Sequence, residues 1–564
     1  MSKIRYSPHV LAVLLLSGKF AYAQTTPDAG SLLQQMEKNR APGAPARPVP
    51  SLTPPPQPMR ELAGKTVTVS AFQFAGNTLL SSEQLAPAVA SYLNRPLDFS
   101  DLQNAAAAVA ETYRQAGWIV RVYLPRQEIR NGVVTLQVVE AVFGGTRFEG
   151  NPPSRLPRER VLPIVEAVQP KGELLNAAAM DRALLLIDDL PGITVDGSLI
   201  AGQQPGETDL LLKLVDEAFA TGTVSADNTG SRSAGAGRGT ADLYFNSPLH
   251  IGDQLGANLI ASEGTRYGRL AYTLPAGDSG ARVGVNASYL KYELVSDDTE
   301  ALHAEGRSST VGVDASYPLV RERLKNLSLE LAYERKRFNN EALATTITRY
   351  RIDTFTATLS GNLLDPVGGG GNNNASLAIV RGNVDLNGSP NQLVDSLTSR
   401  TDGKFTKLRY YASRQQVVTE ALALFASVSG QTANTNLDSA EKFYLGGAYG
   451  VRAYPTNEGA GNSGQLVSLE LRGRLPQNFT LTGFYDWGRI RLNHDNDFLG
   501  APARNSYSLK GAGVSAAWLS SSGLVLKATW ARRIGDNPSP GISGSDQDGT
   551  LRRNRVWLQA SLPF

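Results

Sequence analysis

The hydrophobic and polar positions of the chain fall into successive textures. The first is a short apolar run, 10–16, behind Lys3 and Arg5 and ahead of Ala21-Tyr22-Ala23. A basic start, an apolar stretch and an A-x-A site read as a secretory signal over 1–23, with the mature chain beginning at Gln24. So short a run cannot cross about 30 Å of hydrocarbon, which excludes an anchor. A polar helix is then expected over 31–40. Prolines from 41 to 58, including Pro54-Pro55-Pro56, predict an extended linker that holds neither helix nor sheet. The segment 24–64 is thus read as helix plus linker.

The second texture mixes periods. Val67, Val69 and Ala71 alternate as a strand that runs into a Gly76-Asn77 turn, and a helix is predicted over 81–93. Ser100-Asp101 offers a cap for a second helix, whose apolar positions Leu102, Ala106, Val109 and Tyr113 recur at i, i+3/i+4 up to Gly117. Strands over 119–124 and 133–141 follow, with a turn at Asn131-Gly132. The β-α-α-β-β order then repeats over 146–149, 158–168, 174–189, 193–200 and 208–216. Two α+β modules in tandem are predicted, 65–142 and 143–217.

From 218 to 564 the period becomes two. Val467, Leu469 and Leu471 alternate with Ser468, Glu470 and Arg472; Leu524, Leu526, Ala528 and Trp530 with Val525, Lys527 and Thr529. Sixteen such strands are predicted: 219–228, 239–247, 253–262, 266–274, 282–291, 308–317, 326–335, 350–360, 374–384, 404–414, 420–430, 465–474, 479–488, 506–517, 523–532 and 554–564. A soluble sandwich also alternates. Three features favour a membrane barrel: strands near the 9–11 residues needed to cross tilted, charge at mid-strand on one face (Glu470, Asp486, Lys527), and alternation of short and long connections. The long loops are 292–307, 431–464, 489–505 and 533–553. An even strand count leaves both barrel ends on the side of the N-terminal modules. The fold class is α+β modules followed by an all-β, 16-stranded antiparallel barrel.

Composition narrows the chemistry. With 564 residues, 19% charged and a net charge of +3, the chain is neither disordered nor suited to bulk nucleic-acid binding. No cysteine and four scattered histidines exclude disulfides, thiol nucleophiles and the common zinc sites. The 55 glycines form no collagen period. Gly277-Asp278-Ser279-Gly280 resembles a protease nucleophile motif, but Ala281 follows and no His–Asp pair serves it, so a turn is expected. Asp546-Gln547-Asp548-Gly549 lacks the later glutamate of a calcium loop and is expected to be a solvated loop. Gly447–Gly450 has no Lys-Ser/Thr after it and is no phosphate loop. No catalytic residue, metal or cofactor is predicted.

One constellation remains. The longest loop contains Gly446-Gly447-Ala448-Tyr449-Gly450-Val451-Arg452-Ala453-Tyr454-Pro455, an arginine among small and aromatic residues that can thread a lumen. On 479–488, alternation points Thr482, Phe484, Asp486 and Gly488 inward, so Asp486 is a candidate carboxylate partner on the wall. Two unrelated solvated charges fit the pattern equally well.

These residues resemble the outer-membrane transporters of two-partner (type V) secretion, the haemolysin/haemagglutinin-type exoprotein transporters, within the superfamily that also holds the outer-membrane assembly proteins. That superfamily's loop motif is V-R-G-Y/F, here Val451-Arg452-Ala453-Tyr454; its wall motif is F/G-x-D-x-G, here Phe484, Asp486 and Gly488. The stretch from Asp227-Asn228-Thr229-Gly230 to Gly252-Asp253 is similar to the two-partner branch, as are Tyr113-Arg114, Gly117, Leu124-Pro125, Gln127, Ile129 and Gly132 of the first module. The resemblance covers nearly the whole mature chain. It implies two periplasmic POTRA modules, an Arg452–Asp486 pair inside the lumen, and Phe564 as a C-terminal signal for the barrel-assembly machinery. The implied partners are a large exoprotein with an N-terminal secretion domain and outer-membrane lipid, with no nucleic acid and a monomeric state. The implied function is export of that exoprotein across the outer membrane, with 31–40 as a resting plug. Its cargo is an adhesin, a cytolysin or a contact-dependent toxin. Ala453 departs from the motif glycine, so any positive φ needed there would be costly. An outer-membrane protein insertase and a passive porin are the rival readings.

Overall fold

The computed structural model describes residues 27–38, 52–53, 66–541 and 544–564. The signal segment and most of the proline stretch lie outside the described residues. One closed barrel contains β1 Ala220–Asp227, β2 Arg238–Asn246, β3 Gln254–Ser262, β4 Thr265–Pro275, β5 Arg282–Glu293, β6 Glu305–Arg321, β7 Lys325–Ala342 and β8 Thr345–Asp365. It continues through β9 Gly371–Asp385, β10 Gly403–Val417, β11 Leu422–Ala433, β12 Ser463–Leu475, β13 Phe479–Arg491, β14 Ser506–Leu519, β15 Val525–Arg533 and β16 Asn554–Pro563. Every neighbouring pair is antiparallel. β1 closes the ring against β16, from Thr223 opposite Pro563 to Asp227 opposite Gln559.

The alternation has the consequence expected of a lipid-facing barrel. Val285, Val313, Ile379, Leu424, Leu469, Leu526, Trp530 and Leu558 are all exposed on the outer wall. So continuous an apolar band is stable only against hydrocarbon. Their sequence neighbours point inward into a polar lumen, where Arg472 stacks on Phe425 at 4.0 Å and pairs with Glu470 at 2.7 Å.

The sixteen predicted strands match the sixteen observed, but the middle ones are longer. β7 has 18 residues and β8 has 21, well beyond what a bilayer requires. They meet in a two-residue turn at Leu343 (φ 48°) and Ala344 (φ 59°). Such turns usually carry Asn-Gly; without that dipeptide, 336–349 reads as loop.

Below the barrel, the first module has a three-stranded sheet, Ala71–Ala75, Val133–Glu140 and Val120–Tyr123 in spatial order. Helices Ser82–Val89 and Phe99–Gln115 pack on it through Leu85, Val89, Ala106, Val109 and Tyr113. The second helix is capped by Asp98, which accepts from the Asp101 N–H at 2.8 Å, and not by Ser100-Asp101 as the sequence suggested. Asp101 instead occupies the third helical position of a capping box. The turn at Asn131-Gly132 has positive φ at both residues, as its dipeptide predicts.

The second module's sheet runs Leu52–Thr53, Ile193–Ala201, Glu207–Asp216 and Val142–Glu149. Leu52–Thr53 corrects the sequence reading: part of the proline stretch does pair as a strand, parallel to Gly197 and Ser198. The two residues lie between Pro50 and Pro54, so both still possess an amide N–H. Helix Ala177–Asp188 joins this module to the barrel's short turns. Asp181 pairs with Arg323 and Asp189 with Arg321, each at 2.7 Å.

A lone helix, α1 Ala29–Lys38, begins two residues before its predicted start and lies inside the barrel. Its Leu32, Leu33 and Met36 share a buried cluster with Leu290, Tyr292, Phe338 and Tyr350 of the wall.

Candidate functional site: an arginine-anchored loop in the lumen

The segment 434–462, between β11 and β12, folds back into the barrel instead of standing in solvent. A short pairing of Phe443–Tyr444 with Ala460–Gly461 makes its stem. Above the stem the chain reverses tightly: Val451 N–H donates to Leu445 O at 2.7 Å and Tyr454 N–H to Val451 O at 3.0 Å. Val451, Ala453 and Tyr454 are buried against Phe484, Ile490, Tyr507 and Leu509 of the wall.

The turn aims Arg452 at β13. Its Nε donates to Asp486 Oδ2 at 2.8 Å and its Nη2 to Asp486 Oδ1 at 2.7 Å, a two-point fork. The Arg452 backbone N–H also reaches Asp486 Oδ2, at 3.1 Å. Nη1 donates to Glu470 at 2.8 Å and Nη2 to Ser468 Oγ at 2.9 Å. The guanidinium lies 3.5 Å from the centre of the Phe484 ring. Asp486 is fully buried. A buried carboxylate is tolerable only when paired and hydrogen-bonded, and here both oxygens are occupied.

The structure thus brings together Val451, Arg452, Ala453, Tyr454, Phe484, Asp486 and Gly488. A methyl on Gly488 would come within 2.6 Å of a Leu445 carbon, so glycine there lets the loop touch the wall. Ala453 is not strained. It is absent from the residues with positive φ, and its methyl group fills the space over Gly511, the cross-strand partner of Asp486. Phe564 is exposed and lies apart from this cluster. Its N–H donates to Gly222 O and its carbonyl accepts from Gly222 N–H, both at 3.0 Å, across the barrel's closure.

Four participants escaped sequence reasoning. Ser468 and Glu470 face inward by alternation, but their nearness to Arg452 depends on β12–β13 register, which sets Ser468 opposite Asp486. Trp557 donates its ring N–H to Arg452 O at 2.8 Å. Gly511 leaves room for Ala453. Asp546 corrects an expectation: it is buried, not solvated, because Arg533 and Arg555 on the wall both pair with it. Arg533 in turn lies over the Tyr454 ring at 4.4 Å. Among the described residues, no cluster of His, Cys, Asp or Glu is arranged to hold a metal.

The loop also meets α1. Ser439 Oγ donates to Asp28 at 2.7 Å, and Gln34 Nε2 donates to Lys442 O. From the wall, Asn340 accepts from the Ala29 N–H at 2.8 Å.

Comparison with known proteins decides the family. Residues 206–516 match the model described as haemolysin secretion/activation protein ShlB/FhaC/HecB. The chain belongs to this family. Residues 67–141 match the POTRA domain of ShlB type. The heme/hemopexin transporter protein HuxB of Haemophilus influenzae is 26% identical over 588 residues, covering 99% of each chain. The outer membrane transporter CdiB of Escherichia coli is 28% identical over 258 residues, 44% of this chain and 43% of that protein. The solved structure of CdiB from Escherichia coli superposes with a TM-score of 0.65 at 21% identity, over the full length of both chains. Members of the family are transporters. The barrel resides in the outer membrane, with its POTRA region in the periplasm.

Proposed function

We propose that this chain exports one large partner exoprotein from the periplasm to the cell surface, by two-partner secretion. The observation that carries the reading is a loop fastened inside the lumen by a buried Arg452 fork on Asp486, in a barrel joined directly to periplasmic modules. The modules capture an unfolded chain carrying an N-terminal secretion domain, and the chain then passes through the lumen. Folding of the cargo outside supplies direction without a nucleotide. The helix α1 closes the pore at rest, held by the same loop that carries Arg452. The transporter acts as a monomer without catalytic activity, and Phe564 serves the assembly machinery.

A passive porin has no use for a helix filling its lumen or for two modules attached to its barrel, and the match over 206–516 favours a transporter over an insertase. The test is the culture supernatant of a deletion strain. One large polypeptide should disappear from it while outer-membrane proteins keep their levels. Loss of many outer-membrane proteins would favour the insertase, and an unchanged supernatant would refute export.

A further inference from the structure

The outer wall of β4–β8 changes character along its height. The turn between β6 and β7 is the module end, where Arg321 and Arg323 pair with the second module, so the opposite end faces the cell exterior. Toward mid-barrel the wall exposes Leu270, Tyr289, Val311, Tyr333 and Phe355. Outward aromatic residues mark the level where hydrocarbon gives way to headgroups.

Beyond that level the same face turns basic. Arg266 on β4 lies opposite Lys291 on β5, and Lys291 lies opposite Arg307 on β6. The row continues through Asn339 on β7 to Arg349 on β8. In the adjoining row Arg337 on β7 lies opposite Arg351 on β8. These cations are exposed, and each shares the outward parity of an apolar residue on its own strand: Arg266 with Leu270, Lys291 with Tyr289, Arg307 with Val311, Arg337 with Tyr333.

Like charges directly opposite on one face of a sheet destabilise it. Two nearby arginines are relieved within the protein: Arg351 pairs with Asp385, and Arg335 with Asp353, each at 2.7 Å. Among the described residues, Arg266, Lys291, Arg307 and Arg337 have no such partner. Glu293 and Glu305 face one another beyond the row and make no ion pair with it. Strands lie about 4.8 Å apart, so the row from Arg266 to Arg349 spans about 19 Å. One phosphate meets only part of that length. A headgroup carrying several phosphates covers it, and arginine grips each phosphate with a two-point fork.

We propose that the outward basic rows of β4–β8 bind a polyphosphorylated glycolipid of the outer leaflet, a lipopolysaccharide. Its phosphates sit on Arg266, Lys291, Arg307 and Arg337, and its acyl chains lie on the apolar wall beside them. The inference depends on the barrel's place in the outer membrane and not on what passes through the lumen.

The test uses full-length transporter purified in detergent, freed of lipid and titrated with bisphosphorylated lipid A under native mass spectrometry. The wild-type protein should hold lipid A about tenfold or more tightly than dephosphorylated lipid A or phosphatidylglycerol. This arm needs no variant, and equal affinity for either comparison lipid would overturn the proposal. The triple variant Arg266→Gln, Lys291→Gln, Arg307→Gln, with its folded barrel verified by heat-modifiable electrophoresis, should bind lipid A about tenfold or more weakly. Undiminished binding would overturn the proposal, as would a dimer that depends on these residues in place of bound lipid. In lipid-free detergent the triple variant should resist heat at least as well as the wild type, because the opposed cations are gone. A less heat-resistant variant would show that the protein itself satisfies these charges, and would overturn the proposal.

Discussion

Replacing Arg452 by alanine removes both guanidinium donors of the Asp486 fork in one step and leaves a buried, charge-unpaired carboxylate held only by the backbone N–H at 452 and the Ser468 hydroxyl at 2.8 Å. Glu470 suffers less, because Arg472 still pairs with it at 2.7 Å. Removing one member of a buried ion pair costs about 3–5 kcal/mol, and about 1.4 kcal/mol is a factor of ten. The docked loop should therefore lose roughly two to three and a half orders of magnitude in its favour over undocked forms. Asp486→Ala leaves Arg452 with Glu470 and Ser468, at 2.8 and 2.9 Å, so its effect should be smaller. The double variant carries no orphaned carboxylate at 486 and should resemble Asp486→Ala, not the sum of the singles. Arg452→Lys keeps the charge but not the fork and should fall between. Heat-modifiable electrophoresis verifies barrel insertion, protease accessibility of 445–458 reports docking, and the supernatant reports secretion. Additive losses in the double variant would refute the reasoning, as would a docked loop with normal secretion in Arg452→Ala.

Deleting 29–38 should raise single-channel conductance in planar bilayers several-fold, because Leu32, Leu33 and Met36 vacate the lumen; unchanged conductance would exclude a plug. Gly511→Val should displace the loop tip, because even a methyl at Gly511 would lie 2.5 Å from the Ala453 methyl carbon. Overpacking of this kind costs about 1–3 kcal/mol, and secretion should drop while barrel insertion persists. In the first module, burial pushes the Glu140 carboxyl up, but hydrogen bonds from Thr78, Leu79 and Tyr113 outweigh it and hold the group below its ordinary value. Its stabilising contribution is therefore full above the ordinary carboxylate value and is lost as pH falls through the lowered one. Hydrogen exchange of Val133–Glu140 in the whole protein should accelerate in that acid range. Glu140→Gln should abolish this dependence, and an unchanged acid profile in that variant would contradict the assignment.

The barrel was legible because a lipid wall and a wet lumen impose a strict period of two, and because polar turns punctuate it. The modules were legible through helical periodicity and the Asn131-Gly132 turn. Strand ends were not, since the extensions of β7 and β8 beyond the bilayer carry no special composition and their turn uses Leu343-Ala344. Arg452 and Asp486 stood out as an inward arginine and an inward acid, but Glu470, Ser468 and Trp557 enter through strand register and loop depth, which a single sequence does not encode locally. The expected difficulty at Ala453 vanished for a similar reason: its accommodation lies at Gly511, on another strand. Asp546 was misread because its neutralising arginines, Arg533 and Arg555, lie on two strands of the wall.

The central claim is that a polypeptide crosses the membrane through this lumen. The absence of cysteine allows a direct measurement. Exported cargo is stalled by a tightly folded domain fused to its C-terminus, in cells carrying either Lys527→Cys, on the lumen side of β15, or Leu526→Cys, on its exposed lipid side. A thiol-specific crosslinker should join the stalled chain to position 527 and not to position 526. Crosslinks at 526 alone, or at neither position with the cargo demonstrably stalled, would contradict the account.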